Sequence, residues 1–115
     1  MNAHTQLSQL SAGLSPKDET VVRIEQHARE IRRLSIAAIY RATSGHPGGS
    51  LSCADVLATL YADELNVDRA APLAPDRNRF IMSKGHAAPA LYAAWASFGL
   101  LEPHVALSLR KLGSK

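Results

Sequence analysis

From Lys17 to Thr43 the chain contains neither glycine nor proline, whereas Ser44-Gly45-His46-Pro47-Gly48-Gly49-Ser50 contains three glycines and one proline. This contrast constrains the fold more than any other feature. An unbroken run of that length can form a helix of many turns, and the cluster after it marks an abrupt change of backbone. Ser15-Pro16 supplies a start signal, with Ser as N-cap, Pro at the first helical position, and Asp18 and Glu19 in the first turn. Ile24, Ala28, Ile31, Ser35, Ala38 and Ala42 recur at helical spacing, with Leu34 and Ile39 beside them. Arg32, Arg33 and Arg41, toward the far end, suit the helix dipole. The spacing predicts a helix from Pro16 to about Thr43, followed by an irregular glycine-rich loop. Residues 1–14 are rich in Gln, Ser and Ala without periodicity and are expected to form a flexible tail ahead of the ordered residues 15–115.

Beyond the loop, Ser52 reads as a second N-cap with Asp55 three residues on. Val56, Leu57, Leu60, Tyr61 and Leu65 share a face of a helix over about Cys53 to Leu65. Asn66 to Asn78 carries Pro72 and Pro75 and reads as a loop. Arg79-Phe80-Ile81-Met82-Ser83 is short, apolar at its centre and followed by Gly85, the pattern of a parallel-type strand buried on both faces. A third helix is expected over Ala87 to Phe98, with Leu91, Ala94, Trp95 and Phe98 inward. Glu102-Pro103 opens a fourth that ends at Gly113. The fold class expected is α/β, mostly helical here, with one strand near 79–83. A lone strand leaves backbone donors and acceptors unpaired on both edges. We therefore expect this segment to be the front part of a longer chain or to be paired by another chain.

Composition removes several classes. With 46% hydrophobic residues the chain is not wholesale disordered, and its single cysteine, Cys53, excludes an internal disulfide. The net charge of +3 suits an anionic small molecule or weak nucleic-acid contact and does not choose between them. No apolar run approaches the ~20 residues of a membrane span. The first residues lack the basic and apolar regions of a secretory signal. A cytoplasmic protein without membrane association is expected.

Two loops carry chemistry. In Gly45-His46-Pro47-Gly48-Gly49, small residues leave room beside an imidazole that can exchange a proton near neutrality. An exposed loop histidine between two helices is an equally open reading of the same residues. In Ser83-Lys84-Gly85-His86, a cation and an imidazole fall at the carboxyl end of the expected strand and at a helix start. Ligands of open α/β sheets gather there, and free N–H groups favour phosphate. The alternative reading of the second loop is a plain strand-to-helix turn with a surface Lys and a capping His. The pattern is not a P-loop. Cys53 beside the first loop reads as a small buried residue, Arg32, Arg33 and Arg41 as a solvated face, and Asp76-Arg77-Asn78-Arg79 as a loop of local ion pairs. Tyr40, Tyr61, Tyr92 and Trp95 read as core or partner-facing aromatics, and His4, His27 and His104 have no companions that would make a metal cluster.

The two loops in this order resemble the N-terminal segment of transketolase. The matching residues are Ser44-Gly45-His46-Pro47-Gly48-Gly49-Ser50-Leu51-Ser52 and Asp76 through Ala87, with Ile31-Arg32 upstream and Leu91-Tyr92-Ala93 and Leu109 through Ser114 downstream. The Gly-Gly-Ser-Leu-Ser form looks most like the separate N-terminal subunits of two-chain transketolases. The resemblance implies thiamine diphosphate with Mg²⁺ or Ca²⁺, and transfer of a two-carbon ketol unit from a ketose phosphate to an aldose phosphate. It implies that His46 contacts substrate hydroxyls and assists proton transfer, that His86 binds the cofactor's diphosphate, and that Gly49 lies against the cofactor. The partner it implies is a C-terminal transketolase domain or subunit, in a homo- or hetero-oligomer when complete, with no nucleic acid.

Where the family usually has Asp, this chain has Asn78. The family's Gly-Asp-Gly motif, which holds the metal and diphosphate, does not occur in these residues, so no metal ligand is assigned here. The resemblance therefore implies that this segment alone does not bind the cofactor tightly or turn over substrate. A non-catalytic helical interaction module or remnant is the alternative from another class. Another thiamine diphosphate-dependent synthase, of the deoxyxylulose-phosphate type, fits the Ser83-Lys84-Gly85-His86 loop less well.

Overall fold

A computed structural model describes residues 15–114; the expected tail over 1–14 lies outside them. Helix α1 runs Pro16–Ala42. Its start forms as the sequence predicts: Ser15 Oγ accepts from the Asp18 N–H at 3.3 Å, and the Ser15 N–H donates to the Asp18 carboxylate at 3.3 Å. At the other end Thr43 takes a left-handed conformation (φ 52°) and its N–H donates to the Tyr40 carbonyl.

One stripe of α1, comprising Ala28, Ile31, Leu34, Ser35 and Ala38, is fully buried. Ser35 is the one polar member, and its hydroxyl donates to the Ile31 carbonyl at 2.6 Å, which satisfies it within the helix. Against this stripe pack α3 (Ala54–Thr59) through Ala54, Leu57 and Ala58, and α4 (Ala88–Ser97) through Ala90, Ala93 and Ala94. Alanine dominates this core, so the helices approach closely. Beside it lies an aromatic layer. Trp95 Nε1 donates to the Tyr61 hydroxyl at 2.7 Å, and Tyr61 stacks on Phe98 and meets Phe80 edge-on.

Several expectations are corrected. Pro47–Ser52, read as irregular, is a six-residue helix, α2. Glycine disfavours a helix by only about 1 kcal/mol per residue, and Pro47 presets the first turn. Tertiary contacts bury Ser50 and supply the rest. Ser52 is the last residue of α2 rather than an N-cap, and Cys53 joins α2 to α3. The helix expected over 53–65 is α3 followed by a wider π-helical turn, Leu60–Glu64, closed by the Leu65 N–H on the Leu60 carbonyl. Val56, assigned to its inner face, is 59% exposed.

Among the described residues there is no strand. Residues 79–83 are irregular, because no second segment offers a hydrogen-bonding edge. Nor are both faces buried: Phe80 and Met82 pack on the core, while Ile81 is 87% exposed. The third predicted helix is α4, preceded by a 3-10 turn at Gly85–Ala87, and the fourth is short, α5 over Pro103–Ala106. In the 76–79 loop the arginines bond backbone carbonyls instead of carboxylates: Arg77 reaches Ala74 at 3.0 Å and Arg79 reaches Pro75 at 3.4 Å. Asn78 closes the loop from its far end. Its Oδ1 accepts from the Asn66 N–H at 2.6 Å and its own N–H donates to the Asn66 carbonyl at 3.0 Å. An amide oxygen thus makes the contact that a carboxylate could make at this position.

Candidate functional site

The fold brings the two sequence loops together. His46 is the N-cap residue of α2, its backbone extended (φ −118°, ψ 103°), and its side chain is exposed. Within α2, Gly49 lies directly against His86 from the other loop. A Cβ on Gly49 would stand 2.8 Å from His86 Cδ2 and 3.0 Å from Nε2, closer than carbon atoms tolerate. His86 sits in the 3-10 turn that opens α4, with its ring on Gly49 and its surface otherwise open to solvent. Gly48 and Gly85 differ: a Cβ on either meets no described atom within 4 Å, so packing within the described residues does not demand glycine there.

Lys84 fastens the two loops. Its Nζ donates to Ser52 Oγ at 3.0 Å, and Ser52 in turn donates to the Gly49 carbonyl at 3.1 Å. The Cys53 thiol donates to the carbonyls of Gly49 and Ser50, both at 3.4 Å, which accounts for it as a half-buried helix-end residue. Ser50 Oγ is buried with no hydrogen-bond partner among the described residues. The lysine–serine tie has no local sequence signal, since Lys84 and Ser52 belong to different loops; Lys84 was visible only as a cation near a helix start.

These donors suit a polyanion. A lysine ammonium and an exposed imidazole flank glycines that leave the backbone open, an arrangement that favours phosphate oxygens. They do not suit a divalent cation. Among the described residues no group of three or more His, Cys, Asp or Glu could hold a metal ion.

Away from this site, His27 Nδ1 lies 2.7 Å from Ser97 Oγ and its ring stacks on Phe98 at 3.8 Å between centroids. Burial, with a smaller push from Arg23, holds its pKa below the ordinary histidine value. Arg32 on α1 makes a two-pronged pair with Asp55 on α3, and Arg33 pairs with Glu30 one turn back. The hydrogen bond from Arg32 lowers the Asp55 pKa below the usual carboxylate value. Two of the three α1 arginines noted in the sequence are thus engaged in ion pairs. No helix among the described residues is long and apolar enough to cross a membrane.

Residues 24–115 match the family model described as transketolase, thiamine diphosphate binding domain. The chain belongs to that family. It is 38% identical to human transketolase over 99 residues, 86% of this chain and 16% of that protein. It is also 38% identical over 96 residues to the 6-deoxy-6-sulfo-D-fructose transketolase subunit SqwG of a Clostridium species, covering 84% of this chain and 35% of that one. A third relative, one of the subunits of the apulose-4-phosphate transketolase of Phocaeicola vulgatus, is 37% identical over 91 residues, 79% of this chain and 32% of that one. The chain therefore spans a minor part of each transketolase relative. The family is that of a thiamine diphosphate-binding domain; the helical structure here is the part of it that these residues build.

Proposed function

We propose that this chain is the N-terminal, diphosphate-holding part of a thiamine diphosphate-dependent transketolase that moves a two-carbon ketol unit from a ketose phosphate to an aldose phosphate. The observation that carries the reading is the seat of the His86 ring on Gly49, with Lys84 tied across the same pair of loops. When bound, thiamine diphosphate supplies the thiazolium chemistry that breaks and remakes a carbon–carbon bond beside a carbonyl. His86 donates an imidazole N–H to a diphosphate oxygen, and Lys84 adds positive charge at that edge. Gly49 keeps the ring in place and leaves the backbone clear for the cofactor. His46 holds a substrate hydroxyl and passes a proton through an imidazole nitrogen.

The divalent cation, Mg²⁺ or Ca²⁺, takes its ligands from residues outside this segment. The partner is a C-terminal transketolase domain or subunit; two relatives are themselves called subunits. We place the protein in the cytoplasm, with Cys53 as a free thiol.

Two measurements test this. In a longer form that carries these residues together with a Gly-Asp-Gly segment, paired with the C-terminal subunit of a two-chain transketolase, ketol transfer should depend on thiamine diphosphate and be lost in His86→Ala. In the isolated chain, inorganic diphosphate should shift the His86 ring resonances and the Gly48 and Gly49 amides. Full activity in His86→Ala, together with resonances that ignore diphosphate, would overturn the reading.

A further inference from the structure

Arg110 stands in a conformation that its own side chain should oppose. It occupies the third position of a turn closed by the Lys111 N–H on the Ser108 carbonyl at 3.1 Å, with φ 57°. Left-handed positions of such turns favour glycine or asparagine. Among the described residues only one other non-glycine residue has a positive φ, Thr43 at 52°. A side-chain hydrogen bond links Arg110 to the residue that follows Thr43. Arg110 Nη1 donates to Ser44 Oγ at 2.9 Å, and Ser44 directly follows Thr43. Gly45 comes next, at φ 132°, and a Cβ there would stand 3.2 Å from Nη1 and 3.3 Å from both γ carbons of Ile39. Residue 45 is thus wedged between the guanidinium and α1, and His46 is the next residue along. Backbone strain gathers where the surroundings hold a segment in one functional geometry.

We infer that Arg110 is a positioning residue for His46. The C-terminal turn stores an unfavourable backbone conformation in order to aim a guanidinium at Ser44 and Gly45, and that clasp sets the direction in which the chain enters α2. The inference rests on the role proposed for His46 in handling substrate, and it adds a residue whose side chain acts through the backbone ahead of that histidine.

The test separates positioning from plain stability and needs no cofactor. Arg110→Gly removes the clasp and at the same time relieves the left-handed backbone, so its melting temperature should stay within a few degrees of the parent. In ¹⁵N relaxation of the 115-residue chain, the Gly45 and His46 amides should fall from rigid order parameters of about 0.85 to below about 0.6. The His46 ring resonances should move with them, while Ile31 and Leu57 keep their values. Ser44→Ala breaks the same bond from an exposed position and should reproduce the loss. Arg110→Lys, which can donate once to Ser44, should restore part of the order. Unchanged order at residues 45 and 46 in both Arg110→Gly and Ser44→Ala would overturn the inference, as would a loss spread evenly over the whole chain. If the coupling holds while His86→Ala keeps full ketol transfer and diphosphate leaves His86 unmoved, the proposed function fails and the clasp stands.

Discussion

Gly49 has no room for a methyl group, and the obstacle is a side chain rather than backbone. That distinction sets the expected result of Gly49→Ala. The exposed His86 ring can swing away, and alanine gains up to about 1 kcal/mol of helix propensity in α2. Thermal melting should therefore change by little, while the response of residue 86 to inorganic diphosphate is lost; a variant that melts normally and still responds would separate Gly49 from the site.

His27 carries a second prediction at this scale. Its folded-state pKa is lowered, so below about pH 6.5 the unfolded chain binds more protons than the folded one, and stability falls with falling pH down to the folded pKa. Urea midpoints measured from pH 7.5 to 5 should decline in that window, and His27→Gln should remove that part of the slope. Both residues were visible as histidine or glycine in the sequence. Neither the Gly49–His86 contact nor the Ser97–Phe98 nest of His27 was, because each joins residues far apart in the chain.

At the scale of elements, α1 was legible almost to the residue, since its cap, its apolar stripe and the absence of glycine and proline all agree. The elements after it were less so. Short helices such as α2 are decided by what they pack on, and Pro47–Ser52 is helical despite two glycines. The alanine seam between α1, α3 and α4 leads to a definite expectation. Ala94 is fully buried, and Ala94→Leu should cost roughly 1–3 kcal/mol in chemical denaturation by forcing these helices apart. By contrast, Asp55→Ala removes an exposed ion pair between α1 and α3 and should cost less than about 1 kcal/mol at neutral pH. The lowered pKa of Asp55 means that the pair's contribution declines as pH falls from about 3.8 and is gone below the lower folded-state pKa, where parent and variant should converge.

Taken whole, the described residues form a slab of 47 × 39 × 23 Å with a radius of gyration of 15.2 Å, against about 13 Å for a compact domain of 100 residues. Tyr40, Leu73 and Ile81 are each more than 80% exposed. Complementation with a C-terminal transketolase subunit should raise the melting temperature of the chain, as expected when a partner binds only the folded form; a mixture that melts as two independent components would count against such a partner.

The sequence by itself determined the long capped helix, the two histidine loops and the family, because these rest on local backbone preferences and on residue types in fixed order. Tertiary structure alone decided that the glycine loop winds into α2, that residues 79–83 remain irregular, that Lys84 fastens onto Ser52, and that Arg110 reaches Ser44. The reason is physical: a strand exists only if a second edge accepts its hydrogen bonds, and a glycine-rich turn holds its shape only if distant side chains close around it.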